Sequence, residues 1–135
     1  MVNVNMLEEM TIKKINYRGW EDSYILSNSQ VEAIIVPAIG RIMQFRFLGG
    51  ENAFWEDSKI YGKIPNPQSE EWDNFGGDKT WPAPQSKWEE ITKISWPPPV
   101  TFDSVPVNVN VQRNELTLIS EIDPFYGIRF YRKII

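Results

Sequence analysis

Residues 74–88, NFGGDKTWPAPQSKW, place a carboxylate, Asp78, and an ammonium, Lys79, directly before an indole, Trp81, with Gln85, Lys87 and Trp88 close behind. An indole face covers the apolar face of a pyranose, while carboxylate, ammonium and amide groups at its rim exchange hydrogen bonds with the hydroxyls. Trp72 and Trp96 flank this stretch, and Arg41 and Arg46 lie upstream on an expected strand. Asp78, Lys79, Trp81, Gln85, Trp88, Trp72 and Arg41 are therefore the candidate ligand-binding residues of a carbohydrate groove. Each has a plainer reading beside that one. The tryptophans suit packing in a core or loop, Asp78 and Lys79 suit an ion pair or solvent, and Arg41 and Arg46 suit an exposed strand face. Gly76 and Gly77 suit a turn with positive backbone dihedrals. What raises the binding reading is the clustering of several such side chains in one short stretch.

Other chemistry is narrowed by what the chain lacks. With no histidine and no cysteine, every Ser-His-Asp or Cys-His mechanism is excluded, as are zinc-thiolate and iron-sulfur sites. The GGDKT string lacks the spacing of a phosphate-binding loop. Asp73, Asn74 and Asp78 do not follow the ligand spacing of the known calcium loop. Glu89 and Glu90 are adjacent and point to different faces, so they do not make a glycosidase pair. No catalytic residue is assigned, and neither a cofactor nor a metal is expected.

The elements that must position these residues read as strands. TIKKINY at 11–17 alternates, 24–26 is short and apolar, and 31–36 is β-branched after the turn-like Ser27-Asn28-Ser29. Pro37 and Gly40 mark a corner, 41–48 alternates up to Gly49-Gly50, and 53–55 reads as a further short strand. Near the carboxyl end, 105–111, 115–122 and 127–135 form a second antiparallel meander, with a tight turn at Arg113-Asn114. A single short helix is expected at 86–94. Between the meanders, residues 55–99 hold five of the six tryptophans and seven of the ten prolines, which predicts an ordered loop excursion packed on the sheets. The expected fold class is all-β, an antiparallel β-sandwich.

The chain of 135 residues carries 14 basic and 18 acidic side chains, a net charge of −4. That balance argues against a nucleic-acid partner, which needs clustered Lys and Arg. No stretch has the basic and apolar layout of a signal peptide or the length of a membrane span, so the expectation is a cytoplasmic protein without a membrane partner.

Two stretches carry a family resemblance. Residues 31–57, VEAIIVPAIGRIMQFRFLGGENAFWED, run through a strand, a Pro-x-x-Gly corner, a second strand, a Gly-Gly turn and an Asn-x-x-Trp segment. In that order they resemble the amino-terminal hairpin of galactose mutarotase and related aldose 1-epimerases. Residues 74–88 with Trp96-Pro97-Pro98-Pro99 look like the Gly-Gly and Trp-Pro signature of a bacterial branch of that superfamily, and Gly127-x-Arg129-x-x-Arg132 is similar to one of its strands. The resemblance implies a β-supersandwich that binds a sugar on one broad sheet, with this chain as a single β-sandwich domain or as the amino-terminal half. The family's histidine acid has no counterpart here, and its glutamate base lies in a half that has no match. The expected function is carbohydrate binding; a structural or assembly module and an aldose 1-epimerase-like isomerase are the alternatives. Exposed strand edges at 127–135 lead us to expect a homo-oligomer.

Overall fold

Strand-forming alternation and turn-forming residues succeed one another along the first third of the chain, and the backbone follows them. The computed structural model describes residues 9–135. Strands β1 (Thr11–Tyr17), β2 (Trp20–Ser27), β3 (Val31–Val36) and β4 (Arg41–Phe47) form an antiparallel sheet in the order β1-β2-β3-β4. The β2–β3 turn is fixed by Asn28, whose Oδ1 accepts from the amides of Gln30 and Val31, both at 2.9 Å. The β3–β4 corner is one 3₁₀ turn, Pro37–Ile39, with the left-handed Gly40 behind it donating its amide to the Pro37 carbonyl at 3.1 Å.

Strand β3 reads as a nearly continuous apolar run because this sheet is covered on both faces. Ile34 and Val36 point to a cluster with Tyr17, Trp20, Ile39, Met43 and Phe75. Ile35 points the other way, to Leu26, Leu116 and Leu118. The first face is roofed by the excursion: Trp20 meets Tyr61 and Phe75 edge-on at 6.1 and 6.0 Å and donates its indole N–H to the Lys63 carbonyl at 2.8 Å. The second face is covered by a three-stranded antiparallel sheet of β5 (Asn108–Gln112), β6 (Glu115–Ile119) and β7 (Tyr131–Ile134), in that order. The fold class is therefore all-β, two antiparallel sheets packed face to face, with the Trp- and Pro-rich segment as a third layer. Among the described residues no helix is long and apolar enough to cross a membrane.

Several boundaries differ from the sequence reading. Strand β2 starts at Trp20, well before the expected 24–26. Residues 53–55 make no strand: the Ala53 amide donates to the Phe45 carbonyl at 2.9 Å, but beside it the side chain of Asn52 accepts from the Phe45 amide at 3.1 Å and donates to the Met43 carbonyl at 3.0 Å. What remains is a lone bridge between Glu56 and Gly76. The expected strand at 105–111 is shortened to β5 because the Val107 amide donates to the Pro37 carbonyl at 3.0 Å, which ties its start to the corner. Those at 115–122 and 127–135 shrink to β6 and β7 because Asp123 builds a turn between them, its Oδ1 accepting from the amides of Phe125 and Tyr126. The helical stretch is a 3₁₀ turn, Gln85–Lys87, running into α1 (Trp88–Thr92) and stopped by Lys93 at φ 68°.

Candidate functional site

Arg41 opens β4 at the corner where the two sheets and the excursion meet, and only 1% of it is exposed. Its Nη1 donates to the Gly76 carbonyl at 2.7 Å and its Nη2 to Asp103 Oδ1 at 2.7 Å. Burial lowers the pKa of the guanidinium from its ordinary value, against the pull of Asp103 and Asp78. Asp103 follows the 3₁₀ turn Val100–Phe102. Its Oδ1 also accepts from the Trp81 indole at 2.9 Å, and its Oδ2 from the Trp72 indole at 2.8 Å. One carboxylate thus fixes an arginine and two tryptophans.

Around that carboxylate the four tryptophans of the excursion's middle form one cluster. Trp72 meets Trp81 and Trp96 edge-on at 5.8 and 5.0 Å, and Trp81 meets Trp88 at 5.6 Å. Trp88 and Trp96 stack at 6.3 Å. Trp88 is buried, its indole N–H satisfied by the Pro82 carbonyl at 2.9 Å. Lys79 holds its Nζ 5.7 Å from the Trp81 ring centre; burial first, and then the charge of Arg41, lowers its pKa from the ordinary lysine value.

A cleft of about 230 Å³ opens beside Trp72. Its walls are largely apolar, with Ile64, Pro97, Pro98 and Pro106 among them, and its polar lining includes Glu71, Asp73, Asp103 and Ser104. Ser104 is 3% exposed, and its hydroxyl has no hydrogen-bond partner among the described residues. An unpaired buried hydroxyl costs roughly 1–3 kcal/mol, so a guest that reaches it recovers part of that cost.

The structure brings Arg41, Trp72, Trp81, Trp88 and Lys79 into one neighbourhood, with Trp72 the member that lines the cleft. Arg41 and Trp88 stand behind it as buried supports. Asp78 has its oxygens taken within the chain: Oδ1 accepts from the Ile42 amide at 2.8 Å, and Oδ2 pairs with Arg132. Its own amide donates to the Ile42 carbonyl at 2.9 Å, so Asp78 caps the outer edge of β4. Gln85 is exposed at the start of its 3₁₀ turn. The sequence reading missed Asp103 and Ser104. The one signal for them was an acid followed by a small polar residue closing the apolar run PPPVTF. Among the described residues no group of three or more acidic side chains is placed to hold a metal ion. Compared with protein-family models, with curated proteins and with solved structures, the chain finds no match.

Proposed function

We propose that the chain binds a single sugar ring or a small sugar-like molecule in the cleft beside Trp72. The observation that carries this reading is the meeting of an indole, apolar proline walls and an unpaired buried hydroxyl, Ser104, in one small cleft. Trp72 and the prolines suit the apolar face of a pyranose, and Ser104 suits a ring hydroxyl. Asp103 holds the Trp72 and Trp81 indoles in place before any guest arrives, which reduces the ordering cost of binding. The reading is of binding, with no chemical step assigned.

The experiment is a tryptophan fluorescence titration with a panel of monosaccharides, on the parent chain and on Trp72→Ala. A saturable shift in the parent that is lost in the variant supports the reading; no shift from any sugar up to high millimolar overturns it. The rival reading, an assembly module with no ligand of its own, draws on the mutual packing of Trp72, Trp81, Trp88 and Trp96. It expects silence across the panel.

A further inference from the structure

We infer that the cleft selects by charge, taking an uncharged or amino-bearing sugar and excluding uronic acids and sugar phosphates. This rests on the sugar-binding reading above. Among the described residues that line the cleft, Glu71, Asp73 and Asp103 are acidic and none is basic. Ser104, a lining residue that is 3% exposed, has a buried hydroxyl with no hydrogen-bond partner among the described residues.

The three carboxylates do not act alike. Asp103 is offset by Arg41 at 2.7 Å and spends its oxygens on two indoles as well. Arg41 in turn has both Nη groups engaged, on Gly76 and Asp103, and it is buried behind the cleft. It does not line the cleft, so its remaining N–H groups are not presented to an incoming anion. Lys79, the next cation, lies over the Trp81 ring and does not line the cleft. The uncompensated field at the mouth is that of Glu71 and Asp73, which flank Trp72 in sequence and are both exposed. An anionic guest stacked on Trp72 meets two like charges and no cation. An ammonium meets two partners, and a neutral ring meets neither gain nor penalty. Specificity of this kind comes from repulsion of the wrong ligand as much as from attraction of the right one. Because both carboxylates are at the surface, salt weakens the effect over about 10 Å of Debye length at 0.1 M.

The test compares glucose, glucosamine, glucuronate and glucose 6-phosphate, and likewise galactose, galactosamine and galacturonate, by fluorescence titration of the full chain at low and moderate salt. We expect each anionic sugar to bind about tenfold or more weakly than its neutral parent at low salt, with the gap narrowing as salt rises. In Glu71→Gln/Asp73→Asn the ratio of neutral to anionic affinity falls by about fivefold. Anionic sugars that bind as tightly as their parents overturn the charge selection and leave the sugar site standing, as does a gap that neither salt nor the double substitution alters. Silence from every sugar overturns both.

Discussion

Arg41 and Asp103 lie 62 positions apart in the chain and meet through a 2.7 Å ion pair that fastens the start of β4 to the loop before β5. The arginine is buried and the carboxylate nearly so, with side-chain exposures of 1% and 10%. Asp103→Ala leaves a buried guanidinium without its counter-charge and frees two indole donors. The expected loss is about 3–5 kcal/mol, read from urea unfolding. Replacing both partners with apolar residues, as Arg41→Met/Asp103→Leu, is expected to cost less than the sum of the single changes. Additive losses would show that the pair is not coupled.

Gly76 and Gly49 both have positive φ, 85° and 76°, yet they sit in different surroundings. A Cβ on Gly76 would stand 2.0 Å from the Trp55 carbonyl oxygen and 2.8 Å from the Glu56 Cα, both backbone atoms that cannot swing aside; at Gly49 nothing lies within 4 Å. Gly76→Ala is expected to lose about 3 kcal/mol or more, and Gly49→Ala about 1 kcal/mol, the dihedral cost alone. Equal losses in thermal unfolding would contradict this.

Tyr17 donates its hydroxyl to Glu56 Oε1 at 2.6 Å. Burial, and then that bond, pushes its pKa from 10.0 up to about 12. The folded chain therefore favours the neutral phenol more than the unfolded chain does. The stability this supplies is fully present below pH 10 and is lost as pH rises towards about 12. Tyr17→Phe should flatten part of the alkaline decline in melting temperature across that window; an unchanged slope would count against it.

Among the described residues strand β7 pairs with β6 alone, and Tyr131, at its start, and Ile135, just past its end, are exposed at 65% and 82%. The outer edge of β4, by contrast, is capped by Asn52 and Asp78. We expect light scattering after size exclusion to give a concentration-dependent dimer, and Lys133→Pro, on this edge strand, to shift it towards monomer. A single species near 15.8 kDa at every concentration would refute it.

The parts of this structure that were legible in the sequence are those governed by local rules. Thr11–Tyr17 and Val31–Val36 were read to the residue because alternation and β-branching decide them within a few positions. The tryptophan cluster was legible as composition, since so many indoles in a proline-broken segment have to pack on something. Asp103 was not, because nothing near it in sequence names its partners: Trp81, Trp72 and Arg41 are 22, 31 and 62 positions away. For the same reason Asp78 read as a ligand contact, when its place is settled by an amide 36 positions away in β4 and by Arg132 in β7.

The turns that join β1 to β4 are two, three and four residues long, so every pairing in that sheet closes a short loop. The ion pairs that shut the corner at the cleft, Arg41 with Asp103 and Asp78 with Arg132, close loops of more than fifty residues. Short loops cost less entropy and close sooner, which favours a folding nucleus among the hairpins and leaves the cleft to form late. Changes at Asp103 should then appear in the unfolding arm of a chevron plot, and changes in the β2–β3 hairpin in the folding arm. A guest seated beside Trp72 would keep the chain native chiefly by slowing its opening.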